Sequence, residues 1–275
     1  VSSSAGDEKS PFPDLMTDQA HSARMYDYFL GGKDNYPVDR EMGDAAEAAF
    51  PGIRIAARAN RAFLQRVGTF VAEQGIRQFL DVGTGIPTAP NLHQIVQAVE
   101  PSARVVYVDN DPLVLAHAAA LMVSDPRGST TFIQADAHNP EQILAAPHLR
   151  ESLDLDQPAA LSLVAVLHFL DDDAAAALVR TLTAAVPSGS YLWLTHSTLD
   201  LDADGAVTAA VARYHAAGVM SYMRTHEQVT RLFLGGLDVL EPGLVPTHHW
   251  PSLENIANAP SDSDVSAYAV IARKP

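Results

Sequence analysis

The chain has 275 residues, 47% of them hydrophobic, with 33 acidic residues against 18 Lys and Arg, a formal charge of −15 and no cysteine. That length and apolar content support one large domain with a buried core and exclude wholesale disorder. The lack of cysteine excludes disulfides, thiolate metal sites and a cysteine nucleophile and agrees with a cytoplasmic protein, while the negative charge argues against nucleic acid, which binds to cationic surfaces.

Residues 1–16 are polar and small and read as a disordered lead with no signal-peptide pattern. Residues 17–75 read as a helical cap. His21–Leu30 stops at Gly31-Gly32, a C-terminal glycine signal. Asp39–Ala49 is closed by Pro51-Gly52. Ile53–Glu73 carries Ala59, Phe63, Val67 and Phe70 at spacings of 3 and 4. From residue 76 the period changes. Strands are expected at Gln78–Val82, Arg104–Val108, Thr130–Gln134, Ala160–Val166 and Tyr191–Thr195. Helices are expected between them at Ala89–Val99, Pro112–Met122, Glu141–Ala145 and Asp172–Val186. Two more helices follow, Ala206–Ala217 and His226–Leu234, the latter behind the capping box Thr225-x-x-Gln228. Strands Leu237–Leu240 and Ser266–Ala272 end the chain. Strand and helix in alternation predict a mostly parallel seven-stranded α/β sheet with helices on both faces, spanning residues 76–275. The apolar runs are too short to span a bilayer.

Chemistry gathers where these strands end. Asp81-Val82-Gly83-Thr84-Gly85 is a strand-to-helix turn of the kind that brings backbone close to a ligand. A dinucleotide site wants a third glycine, and Thr88 stands in its place. Asp81 would repel a diphosphate but suits an ammonium group. Asp109 ends the second strand, 24 residues after Gly85, where a carboxylate accepts from ribose hydroxyls; capping the next helix is the plainer role, for which Asp111 is better placed. Asp136 follows the third strand, where it accepts from the exocyclic amine of adenine or simply forms a turn. His168 follows the fourth strand.

These features resemble the successive motifs of class I S-adenosylmethionine-dependent methyltransferases. More specifically, Ala23-Arg24-Met25-Tyr26-Asp27-Tyr28-Phe29-Leu30-Gly31-Gly32-Lys33-Asp34-Asn35-Tyr36, Ala59–Leu64, Phe79–Thr88 and Glu241–Val245 are similar to an actinobacterial methyltransferase family long catalogued as a domain of unknown function. The resemblance implies a Rossmann-like fold and S-adenosylmethionine as cofactor. It implies that Gly83, Thr84 and Gly85 approach the amino-acid part and that Asp81 holds the ammonium. Asp109 with Asn110 would take the ribose, Asp136 with Ala137 the adenine, and Ala165 and Val166 the floor near the sulfonium. The cap would lid the pocket, with Arg24, Tyr28, Asn35 or Arg61 reaching the carboxylate. His168 is the candidate general base, or a hydrogen-bonded structural histidine; His196, His138 and the pair His248-His249 are weaker candidates.

The expected function is methyl transfer to a small-molecule acceptor. A non-catalytic cofactor-binding protein of the same fold is the first alternative, and an NAD-linked oxidoreductase the second. No metal site is expected: Asp200-x-Asp202-x-Asp204 starts like a calcium loop, but Val211 stands where the bidentate Glu belongs, and His226-Glu227 lacks the second His of a zinc helix because position 230 is Thr230. No nucleic-acid or membrane partner is expected, and the sequence leaves the oligomeric state open.

Overall fold

A computed structural model describes residues 17–114, 117, 123–250 and 259–275. The expected N-terminal lead lies outside the described residues, and the helix expected at 112–122 lies partly outside them.

Three helices come first: α1 (Ser22–Leu30), α2 (Pro37–Ala49) and α3 (Ile53–Glu73). Gly31 ends α1 in the left-handed region at φ +82°, a conformation that favours glycine. Gly32 lies so close to the Asp27 carboxylate that a Cβ there would overlap it. That carboxylate accepts from the Asp34 amide at 3.0 Å and from Asn35 Nδ2 at 2.7 Å. The Asp27 to Asn35 stretch is thus a helix stop that turns α1 back onto α2. Asp39 is fully buried and accepts from the His21 amide (2.9 Å) and the Tyr36 amide (2.8 Å), which ties the start of α1 to the start of α2.

The core follows in the order β1 (Gln78–Val82), α4 (Leu92–Val99), β2 (Arg104–Asp109), β3 (Ser129–Gln134), α5 (Pro140–Ala145), α6 (Pro147–Ser152), β4 (Ala160–Leu163), α7 (Asp172–Ala184) and β5 (Tyr191–Ser197). Then come α8 (Ala206–Ala216), α9 (His226–Phe233), β6 (Asp238–Val239), β7 (Val245–Pro246), α10 (Asp262–Val265) and β8 (Ala267–Arg273). The sheet order is β3-β2-β1-β4-β5-β8-β6, with β7 also on β8. β1 to β5 run parallel, and β8 runs antiparallel to β5. All five residues of β1 are buried, because apolar layers cover both faces. Leu80, Val106 and Leu161 belong to one layer; Phe79, Val105 and Trp193 belong to the other.

Four details depart from the sequence pattern. The sheet has eight strands rather than seven, since the two-residue β7 pairs with β8. β4 ends at Leu163 rather than Val166, because the backbone leaves the extended region at Ala165, φ +55°. The helix after β1 begins at Leu92 rather than Ala89, behind Pro90 and an Asn91–Gln94 capping box. A helix at Pro147–Ser152 was not in the pattern. The Thr225–Gln228 capping box forms as the spacing indicates.

The two ends of the described chain meet. α2 packs against α8, and α3 against α10. Gly52, at the α2–α3 turn, lies so near the Asp264 carbonyl that a Cβ would come within 2.6 Å of it. Among the described residues, no helix is long and apolar enough to cross a membrane.

Candidate functional site

A cavity of about 320 Å³ lies at the carboxyl ends of the parallel strands, with walls from α1, α3 and α8. In an open parallel sheet this is where ligands bind, beside the switch point where strand order reverses; here β1 sits between β2 and β4. The volume suits a small-molecule site.

The turn after β1 forms one edge. Gly83 (φ +77°) and Gly85 (φ +67°) both adopt left-handed backbone. A Cβ on Gly83 would come within 2.6 Å of the Val166 side chain, so glycine is required there on two counts. The Gly83 amide donates to the Val108 carbonyl at 2.9 Å, and the Thr84 hydroxyl donates to the Asp81 carbonyl at 3.1 Å. The Gly85 amide donates to Asp109 Oδ2 at 2.8 Å, while Asp109 Oδ1 accepts from the Asp111 amide at 3.0 Å. The end of β2 therefore braces the turn after β1.

Asp81 is 6% exposed and lines the cavity. Burial pushes its pKa from 3.8 up to about 6, opposed by the neighbouring Ser162 side chain and the Arg61 guanidinium and reinforced by Asp109. Burial likewise raises Asp109. Both carboxylates favour a cationic or hydrogen-bond-donating ligand, which would restore what desolvation removes. Asn110, Asp136 and Ala137 continue the wall past β2 and β3, and Ala165 and Val166 close it after β4. Asp136 Oδ1 accepts from the His138 amide at 2.9 Å and faces His138 Nδ1 at 2.8 Å.

The two expected histidines differ in kind. His196 is wholly buried, with Nδ1 2.7 Å from the Ser197 carbonyl and Nε2 2.9 Å from Arg224 Nη1. A proton on Nδ1 satisfies both contacts, so both ring nitrogens are engaged and neither is left to take a proton from a ligand. Burial and His168 push its pKa down to about 3. His168 also lines the cavity, and its buried Nδ1 has no hydrogen-bond partner. Burial and the Arg224 charge push its pKa down to about 4, which keeps the ring neutral at physiological pH. Arg224 was not singled out from the sequence. It is 2% exposed and donates to the Leu167 carbonyl (2.9 Å), the Leu170 carbonyl (2.8 Å) and Asp172 (2.9 Å). It thereby holds the turn that carries His168.

The cap meets the cavity through other residues than the sequence indicated. Met25, Tyr26 and Phe29 of α1 line it. Arg24 and Tyr28, four apart and so on one helix face, do not. Arg24 Nε lies 3.7 Å from both Asp39 and Asp111, and the Tyr28 hydroxyl donates to Asp44 at 2.5 Å. Asn35 is also outside the cavity wall, because its side chain holds the Asp27 turn and meets Arg40. Arg61 does line the cavity; its Nη2 donates to the Thr88 carbonyl and, at 2.7 Å, to the Pro90 carbonyl. Asn60, absent from the sequence-based set, joins it: Nδ2 donates to the Tyr26 hydroxyl at 2.8 Å. Asn60 Oδ1 and Arg61 Nε are buried without partners. With the His168 Nδ1, they are three polar atoms on residues that line the cavity, each buried and without a partner among the described residues.

The acidic loop after β5 disperses its carboxylates. Asp200 accepts from the His226 amide, Asp202 from the amides of Val207 and Thr208, and Asp204 from the Ala206 amide. His248 and His249 converge on Asp262 Oδ1 at 3.3 and 3.0 Å, away from the cavity wall.

Ala165 (φ +55°) and Ser266 (φ +40°) are the non-glycine residues with left-handed backbone among the described residues, and both line the cavity. Such conformations concentrate at functional sites.

No protein of curated function matches the chain. A family model described as S-adenosyl methyltransferase matches residues 8–275. A DUF574 family protein from Streptomyces avermitilis MA-4680 is 46% identical with a TM-score of 0.91, covering 95% of this chain and 100% of that one. A candidate methyltransferase from Thermobifida fusca YX is 37% identical with a TM-score of 0.85, covering 96% and 98%. Human N-acetylserotonin methyltransferase in complex with S-adenosylmethionine shares the fold at 16% identity and a TM-score of 0.50, covering 93% of this chain and 63% of that one. A glycine turn braced by an acidic strand end and a family match over nearly the whole chain converge: the chain belongs to the S-adenosyl methyltransferase family and is an S-adenosylmethionine-dependent methyltransferase.

Proposed function

We propose that the cavity holds S-adenosylmethionine along β1, β2 and β3 and that the protein methylates a small-molecule acceptor admitted beside it. The observation that carries this reading is the placing of Asp81, Asp109 and Asp136 at the ends of three adjacent strands around one cavity. Asp81 would hold the ammonium, Asp109 and Asn110 the ribose, and Asp136 with Ala137 the adenine. Gly83, Thr84 and Gly85 would meet the amino-acid part, Ala165 and Val166 would form the floor beneath the sulfonium, and Arg61, which lines the cavity where Arg24, Tyr28 and Asn35 do not, would meet the carboxylate. The cofactor supplies an electrophilic methyl group. The chain's part is to align the acceptor, exclude water and offer the neutral His168 ring to an acceptor proton.

Calorimetric titration with S-adenosylmethionine, S-adenosylhomocysteine and NAD tests the reading. Saturable binding of the first two and none of NAD is expected. Binding of NAD alone would sink it.

A further inference from the structure

The cavity wall is divided along the sheet. Over β1, β2 and β3 it is ionic: Asp81, Asp109, Asp136 and His138 come from the strand ends. His21 lies 3.3 Å from Asp111 just after β2, and Arg61 is bonded to the loop after β1, so both cap residues join the same side. Over β4, β5 and β8 the wall is contributed by Val166, Phe169, Thr195, Ser197 and Ser266, none of them charged. The roof on that side is apolar. Phe50, Val207 and Ala210 are buried together with Ile53 and Ala56, joining the α2–α3 turn to α8, and all five line the cavity. Tyr214 adds an aromatic wall from the same helix. The histidines here are His196, whose nitrogens are both engaged, and His168, whose buried Nδ1 has no hydrogen-bond partner among the described residues.

We propose that the part of the cavity over β4, β5 and β8, roofed by Phe50, Val207, Ala210 and Tyr214, is the acceptor chamber, and that it takes an uncharged, largely apolar small molecule presenting a hydroxyl to His168. This rests on the cofactor reading above, which gives the ionic side to S-adenosylmethionine. A charged acceptor would be buried there without a counterion, which is strongly unfavourable. Among the residues lining that side an ammonium finds no carboxylate and a carboxylate no cation, and the nearby Arg224 is taken up by Asp172, the Leu167 and Leu170 carbonyls and His196. A neutral hydroxyl needs one acceptor, and the neutral ring of His168, which lines the cavity, carries one unprotonated nitrogen. The left-handed Ser266 belongs to this wall, held by its amide to the Asp262 carbonyl (2.8 Å) and its carbonyl to the Thr198 amide (2.9 Å). That pins the segment entering β8 against the chamber.

The test is binding in the presence of saturating S-adenosylhomocysteine, with 2-naphthol, 2-naphthoate and 2-naphthylmethylammonium as probes. Saturable binding of 2-naphthol is expected, with each charged analogue weaker by about tenfold or more. Ala210→Trp should reduce 2-naphthol affinity by about tenfold or more and leave S-adenosylhomocysteine affinity within about twofold. Ala56→Leu serves the same purpose where the larger side chain disturbs folding. His168→Phe should weaken 2-naphthol about tenfold and leave naphthalene unchanged. The proposal is overturned if a charged analogue binds as tightly as 2-naphthol, if the filled chamber binds it unchanged, or if S-adenosylhomocysteine binds while 2-naphthol does not below about 1 mM. Loss of S-adenosylhomocysteine binding in the unaltered protein refutes the cofactor reading instead, so the two failures are distinguishable.

Discussion

Asp81→Asn should make the ligand-free protein more stable at alkaline pH while destroying cofactor binding. The Asp81 carboxyl is buried, and its pKa is raised from 3.8 to about 6. A raised carboxyl pKa means that the folded state favours the protonated form. The associated stability is fully present below the unfolded value of 3.8 and is lost as the pH rises through about 6. A shift of about two units corresponds to ~3 kcal/mol in all. Between pH 5 and pH 8 the loss is about 1.4 kcal/mol. Asparagine does not titrate, so the stability difference between variant and wild type should move by about that amount toward the variant over the same interval. Urea unfolding of both proteins at pH 5 and pH 8, without ligand, measures it. Calorimetry with S-adenosylhomocysteine should show affinity reduced by about a hundredfold or more, the usual result of removing one partner of a buried charged pair. A stability difference that is the same at both pH values would refute the account of Asp81, as would unaltered binding.

In the unaltered protein, S-adenosylhomocysteine affinity should fall about tenfold from pH 7 to pH 5, because the ammonium pairs with the ionised Asp81; a flat profile in calorimetry would contradict the pairing. Asp109→Ala should weaken the same ligand by roughly ten- to a hundredfold with an unchanged far-ultraviolet circular dichroism spectrum, and unchanged affinity would remove the ribose assignment. Gly83→Ala should cost about 2 kcal/mol or more in urea unfolding, since alanine meets both the strained φ of +77° and the Val166 side chain. Arg224→Met should cost about 3 kcal/mol or more, because the Leu167 and Leu170 carbonyls and His196 Nε2 lose their donor inside the core. A variant as stable as the wild type would show that the His168 turn holds itself.

The sheet and the glycine turn after β1 were legible because their signals are local. β1 is an apolar run ended by an acid and a glycine turn, and β2 ends in an acid as well. Helix phase in the cap was less legible. α1 carries aromatic and polar residues on more than one face, so Arg24 and Tyr28 looked as well placed as Tyr26 and Phe29 until Asp39 and Asp44 claimed the first pair. Asn35 belongs to the most specific signature of the family, yet its side chain holds a helix stop through Asp27. The end of β4 was misjudged because Val164-Ala165-Val166 is apolar enough for a strand, and the left-handed turn at Ala165 depends on a bond from its amide to the Thr195 hydroxyl on the next strand. Arg224 was invisible for a similar reason. Its partners lie 28 to 57 residues away along the chain, and no short window shows that a lone arginine will be buried.

The contact of Gly52 with the Asp264 carbonyl bears on how the cavity is closed, because it seats the α2–α3 turn on the segment that enters β8. The turn after β1 is braced locally by the end of β2, whereas Ser266 and Ala267 reach the cavity from a segment distant in sequence. Loosening the α2–α3 turn would open the side of the cavity at Ser266 and leave the turn after β1 as it is.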